Sequence, residues 1–298
     1  MKAFIAGVAA TVAIAGGATW RLVESRRAAA SRLDVQSRVE LAAAAVQAGQ
    51  YEDARAIATQ AIATATERLG PNDVSVAAGL NVLGMVDKYT ARYDEGRRVY
   101  ERALAIAERA APDGSLLVAD IDHNLGGIEH ARGRFAEGEP FARRGLEIRK
   151  RVLAADDAAV AADEAALAAL LDGQGKYDEA EPLYISALAT FDRTYGPDHP
   201  DTAVALNNLA ALYQARHDFG RAEPLYRRAL GIKERLLPPD HPDIATTANN
   251  LAVLEKNLER RDEALALYRR ALEILDRTLG PSHPKTAAVR ANYEKLLH

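Results

Sequence analysis

Apolar and small residues recur along this chain with a step of 42 residues, and the pattern predicts paired helices. One series of leucines, each followed by a small residue, is Leu41, Leu83, Leu125, Leu167, Leu209 and Leu251. A second series of small residues is Ala61, Ala103, Gly145, Ala187, Ala229 and Ala271. Small residues at fixed positions are typical of places where two helix backbones pass closely. We therefore expect two helices in each unit.

Local start and stop signals support this interpretation. Pro200, Pro242 and Pro284 suit a first helical turn, where the missing backbone donor costs nothing. Glycines followed by proline at Gly70, Gly196 and Gly280 end helices. The preceding histidines, His199, His241 and His283, are expected to shape the loop before each helix.

The chain is accordingly predicted to be all-α, a right-handed α-α superhelix of about six helix pairs with a C-terminal capping helix. The repeat domain is expected to span residues 28–298, after an N-terminal segment of residues 1–27. The predicted repeats and the capping helix lie at about 31–70, 73–112, 115–154, 157–196, 199–238, 241–280 and 284–297.

The repeats resemble a known family most clearly in the fifth and sixth units. Residues 177–252 contain AEPLYRRAL, GPDHPD and LNNLA, and this pattern resembles the tetratricopeptide repeat. The usual period of that repeat is about 34 residues. The step of 42 residues here is similar to that of kinesin light chain and its bacterial relatives. The resemblance covers roughly Val35 to Asn292 and implies an interaction module whose first helices line a concave groove.

By that resemblance, asparagines on the first helices hold the backbone of an extended peptide, because their amides both donate and accept hydrogen bonds. Lysines on the same face would favour acidic residues or a C-terminal carboxylate. Asn124, Asn208 and Asn250 are instead expected to make local hydrogen bonds between helices. The predicted peptide-binding residues are Asn81, Lys88, His123, Asn207, Gln214, Asn249 and Lys256.

Residues 3–20 form an uncharged run of membrane-spanning length, followed by Arg21, Arg26 and Arg27. One interpretation is a single N-terminal membrane anchor, and the arginines would then place the repeats in the cytoplasm. The alternative is a secretory signal that is cleaved, so that the repeats are exported. A buried helix of the repeat array is a third reading.

Composition narrows the classes of function. The net charge of −4 argues against a nucleic-acid-binding protein, which needs a basic surface. The chain has no cysteine, so disulfides and thiolate metal sites are excluded. We found no phosphate-binding loop, nucleophile elbow or zinc-protease motif, so no cofactor is expected.

A polar cluster in the third repeat is the strongest enzymatic candidate. Asp120, His123 and His130 share one helix face, and Asp172 is expected on the neighbouring first helix. The two histidines would lie roughly 10 Å apart along the axis, too far to share one zinc ion. Polar lining of the groove is the preferred interpretation. The sequence thus predicts a non-catalytic scaffold that binds an extended segment of a protein partner. The alternative is a membrane-tethered spacer or self-associating scaffold without a bound peptide.

Overall fold

The computed structural model describes residues 2–111 and 114–297, with side chains described from residue 25 onward. All regular secondary structure in these residues is α-helix. The helices are α1 (Lys2–Gln47), α2 (Tyr51–Leu69), α3 (Val74–Tyr89), α4 (Tyr93–Ala110), α5 (Leu116–Ala131), α6 (Phe135–Val152), α7 (Ala158–Asp172), α8 (Tyr177–Tyr195), α9 (Pro200–Ala215), α10 (Phe219–Leu236), α11 (Pro242–Asn257), α12 (Arg261–Thr278) and α13 (Pro284–Leu297).

The helices follow the 42-residue step that the sequence predicts. The even-numbered helices, which we call second helices, begin at Tyr51, Tyr93, Phe135, Tyr177, Phe219 and Arg261. The odd-numbered helices are the first helices of each pair, and α13 is a first helix without a second. The predictions of an all-α fold and of a C-terminal helix are therefore confirmed.

The recurring histidines cap first helices. Nδ1 of His199 accepts a hydrogen bond from the backbone N–H of Asp201 at 3.3 Å. His241 and His283 accept equivalent bonds, from the N–H of Asp243 and of Lys285, at 3.2 Å each. Each bond satisfies an N–H at the helix start that has no partner within the helix. The histidines thus fix the loop geometry before α9, α11 and α13.

The helices form two compact units, Met1–Arg132 and Gly133–His298, here called unit 1 and unit 2. In unit 1, α1, α3 and α5 contact one another in succession, and α2 and α4 pack between them. In unit 2 the first helices α7, α9, α11 and α13 likewise contact one another in succession, and α8, α10 and α12 pack between them. Fully buried tyrosines on the second helices, Tyr184, Tyr226 and Tyr268, fill the core of unit 2 against alanines.

Within the described residues, no helix is both long and apolar enough to span a membrane. The predicted membrane segment, residues 3–20, lies outside the residues whose side chains the structure describes. The anchor and the cleaved signal therefore both stay predictions.

Candidate functional site

The first helices α7, α9 and α11 of unit 2 each have one row of side chains that is open to solvent to some extent. The row follows positions i, i+3, i+7 and i+10, which share one side of a helix. Other positions on these helices, such as Leu206 and Ala210, are buried. We call this surface the unit 2 stripe. It consists of Ala162, Ala165, Ala169 and Asp172 on α7, Val204, Asn207, Ala211 and Gln214 on α9, and Thr246, Asn249, Val253 and Lys256 on α11.

Asparagines link the middle of the unit 2 stripe. Nδ2 of Asn250 donates to Oδ1 of Asn207 at 3.2 Å, which ties α11 to α9. Asn207 and Asn249 each donate to the following asparagine, at 3.4 and 3.5 Å. The side-chain oxygen of Asn249 is buried and has no donor among the described residues. Since a buried acceptor without a donor is costly, this oxygen is an unfavourable group in the free protein.

Two further acceptors of the stripe lack partners. Oε1 of Gln214 is buried without a donor among the described residues. Asp172 is half-buried, and burial raises the pKa of its carboxyl to about 6. An acid whose pKa is raised by folding contributes stability below its unfolded pKa and loses it as the pH rises through the folded value. At neutral pH the ionised Asp172 therefore costs folding free energy in the free protein.

Unit 1 carries an equivalent row of side chains, here called the unit 1 stripe. On α3 it consists of Ala78, Asn81, Met85 and Lys88, and on α5 of Asp120, His123, Gly127 and His130. Nδ2 of Asn124 donates to Oδ1 of Asn81 at 3.1 Å, as Asn250 does to Asn207 in unit 2. The side-chain oxygen of Asn81 therefore already accepts one hydrogen bond. The residue itself is buried, with 9% of its surface exposed.

Lys88 is the main cationic feature of the unit 1 stripe. Burial lowers the pKa of its amine, and Nζ lies 5.3 Å from the centre of the Tyr89 ring. The described residues form no ion pair with this amine. A Cβ placed on Gly127 would lie 3.0 Å from Lys88 Nζ, so glycine at this position leaves room for the amine. A desolvated ammonium without a counter-charge is a favourable place for a carboxylate.

The polar cluster of the third repeat is divided between the units. Asp120, His123 and His130 lie on α5 in unit 1, whereas Asp172 lies on α7 in unit 2. Among the described residues, no group of three or more histidine, aspartate or glutamate side chains is placed to hold a metal ion. The interpretation of these residues as polar lining of the first helices stays a prediction.

Two family models described as "Tetratricopeptide repeat" match the sequence. One matches residues 33–109, 117–184 and 164–235, and the other matches residues 244–285. These matches cover well over half of the chain. This chain belongs to the tetratricopeptide repeat family. Its 42-residue repeats are of the kinesin-light-chain-like type that the sequence indicated.

Solved structures show the same repeat fold. BtubC (BKLC) from P. vanneervenii is 24% identical, with a TM-score of 0.58 over 88% of this chain and 94% of that one. A Podosopora anserina protein, described as a kinesin light chain with nearly identical TPR-like repeats, is 21% identical, with a TM-score of 0.56 over 69% of this chain and 98% of that one.

A Rap conjugation gene regulator of the plasmid pLS20, solved in complex with the Phr* peptide, is 15% identical, with a TM-score of 0.58 over 76% of this chain and 59% of that one. Identities this low show a shared fold only. No curated protein matches the sequence.

Proposed function

We propose that this tetratricopeptide repeat protein is a non-catalytic scaffold that holds an extended segment of a partner protein on the unit 2 stripe. The observation that carries the proposal is the row of partly exposed side chains on adjacent first helices, in which Asn207, Gln214 and Asn249 place amide groups that accept and donate hydrogen bonds. An extended peptide supplies backbone N–H groups at regular intervals, and these would satisfy such acceptors whatever the side chains are. Asn207, Asn249, Gln214 and Lys256 are the proposed contacts.

The unit 1 stripe is proposed to contact the partner through Asn81, Lys88 and His123. Lys88 supports this role because burial disfavours its charged form and no carboxylate of the described residues forms an ion pair with it. We expect it to favour an acidic side chain or a C-terminal carboxylate. Of the similar structures, the Rap regulator was solved with a peptide, which is consistent with a peptide ligand for this fold.

Random dodecapeptide display against the full chain tests the proposal. We expect peptides to be enriched on the wild-type protein, and their affinity to fall about tenfold or more on an Asn207→Ala/Asn249→Ala variant. The reason is that two hydrogen-bonding side chains, each contributing about 1 kcal/mol, are removed. Asn257→Ala is the matched control, because Asn257 is exposed at the end of α11.

Retained binding by the control and lost binding by the double variant, with helical content unchanged in both, would support the peptide receptor. Absence of enrichment on the wild-type chain would favour the spacer or self-associating scaffold instead.

We further propose that residues 3–20 anchor the protein and that the repeats face the cytoplasm. The uncharged run and the arginines that follow it support this placement. Deleting residues 1–27 is expected to give a soluble array with the melting temperature of the full chain, because the first fully buried described side chain is Val35.

Sedimentation and circular dichroism check this deletion. A matched deletion of residues 1–46 also removes Ala42 and Val46 from the core of unit 1 and should lower the melting temperature. An insoluble or unfolded protein after deletion of residues 1–27 would place that segment inside the fold.

A further inference from the structure

Asp172 stands apart from other carboxylates of unit 2. Glu139, for comparison, bonds Lys176 at 2.7 Å and Arg143 at 2.8 Å. The carboxylate of Asp172 has no hydrogen bond or ion pair among the described residues, and burial alone shifts its pKa. Asp172 is also the last residue of α7, where the helix dipole disfavours negative charge. Burial, the missing partner and the helix dipole thus all disfavour the charged form of Asp172.

The surroundings of Asp172 define a small site. The charge of Asp172, in addition to burial, raises the pKa of Tyr184 on α8 and of Tyr226 on α10. Leu171, which precedes Asp172 in the chain, belongs to the same buried core cluster as both tyrosines. Gln214 holds the equivalent position on α9, and its buried oxygen also lacks a donor.

The two unpartnered groups share one chemistry, because each accepts hydrogen bonds. The nearest cation of the stripe by repeat position is Lys256, two first helices away. At an interaxial distance of about 8–10 Å for each step, Lys256 is too distant to form an ion pair with Asp172. A single carboxylate and a single amide oxygen are too few ligands for Ca²⁺, which takes at least six oxygens.

We propose that Asp172 receives a cationic side chain, lysine or arginine, of the segment bound to the unit 2 stripe. This inference rests on the proposed function and specifies the charge of one side chain of the bound segment. An ammonium or guanidinium group would donate to the Asp172 carboxylate and supply the missing counter-charge. The unfavourable state of Asp172 in the free protein would then be relieved on binding.

Sequencing the pools selected from the random dodecapeptide library tests this charge preference. We expect lysine or arginine to be enriched at one position on the wild-type chain, and this preference to disappear on Asp172→Asn. On Asp172→Lys the same position should favour aspartate or glutamate. Asp262→Asn is the matched control, because Asp262 is exposed on α12, and it should keep the wild-type preference.

Synthetic peptides then measure the coupling. One enriched peptide is made with its lysine and with norleucine, or with its arginine and with citrulline. Removing the charge should weaken binding at least tenfold on the wild-type chain and less than twofold on Asp172→Asn. Coupling of this kind is the measure of a direct charge contact.

The outcomes separate the two proposals. Equal losses on both proteins, or enriched peptides without a basic position, overturn this inference and leave the peptide receptor standing. A pool without any enriched peptide on the wild-type chain overturns both. Circular dichroism confirms that Asp172→Asn folds, and this variant decides the outcome even if Asp172→Lys does not fold.

Discussion

A variant carrying Arg227→Met and Arg260→Met is expected to lose about 3–5 kcal/mol of unfolding free energy at pH 7.5. The Glu255 side chain has no exposed surface, and its carboxylate bonds Arg227 at 2.8 Å and Arg260 at 3.0 Å. Methionine keeps an apolar stem but removes the charge, so a buried carboxylate would remain without a counter-charge. Urea unfolding followed by circular dichroism measures the loss.

The size of this loss should depend on pH. Burial raises the pKa of Glu255, and Arg260 and Arg227 act in the opposite direction. Removing both arginines therefore raises that pKa further. A carboxyl group with a raised folded pKa contributes stability that is complete below its unfolded pKa and is lost as the pH rises. The double variant should accordingly approach the stability of the wild type near pH 4.

Two further variants give this prediction its control and its rescue. Arg235 and Arg277 form exposed ion pairs, so Arg235→Met/Arg277→Met should cost no more than about 1–2 kcal/mol in total. Adding Glu255→Leu to the first variant should restore most of its stability, because the fully buried Leu171 holds the equivalent position in the fourth repeat. A first variant as stable as this control would contradict the assignment of Glu255 to a buried ion network.

Ala210→Leu is expected to cost about 1–3 kcal/mol, because overpacking displaces the neighbouring groups. Ala210 has no exposed surface and belongs to the same core cluster as Tyr226. Gly84 holds the equivalent position in unit 1. A Cβ placed there would lie 2.5 Å from the ring of Tyr100, so this position is a close contact between helices.

Thermal unfolding with Ala215→Leu as the control checks the overpacking prediction. Ala215 is exposed on the same helix, α9, and leucine is close to alanine in helix propensity. The control should melt with the wild type, and Ala210→Leu should melt several degrees lower. Equal melting temperatures for the two variants would show that the repeat register assigned to the small residues is wrong.

The helices of this protein were predictable because several independent sequence signals indicate their positions. A second helix starts 42 residues after the previous one, from Tyr51 to Arg261. Small residues such as Ala210 mark the close contacts, and His199 and its equivalents mark the starts of first helices. Each signal is local, so each could be recognised without knowledge of the packing.

The pairing of side chains on the stripes was not predictable in the same way. The sequence placed Asn207 and Asn249 at the same position of adjacent first helices. In the structure, however, Asn250 rather than Asn249 bonds Asn207. This offset of one residue depends on how far α11 is displaced along α9, which the 42-residue period does not specify. Asn124 and Asn81 show the same offset in unit 1.

Asp172 shows a second limit of the sequence. Its position on the stripe follows from the repeat, and the sequence linked it to His130 as a candidate acid or metal ligand. The repeat could not show that Asp172 lacks a partner, because that depends on the positions of all the charged side chains that pack nearby. The structure identifies Asp172 as an acceptor without a counter-charge, which changes the chemistry expected of its ligand.

Site-specific photo-crosslinking tests the central claim most directly. Benzoylphenylalanine is placed at Val204, which is 48% exposed on the unit 2 stripe, or at Ile185, which is 47% exposed on the second helix α8. The two positions are almost equally exposed, but Val204 lies on a first helix and Ile185 on a second helix. Crosslinking of an enriched peptide at position 204 and not at position 185 is the predicted result. Crosslinking at position 185 with none at position 204 would show that the partner binds the second helices, and the proposed receptor face would be wrong.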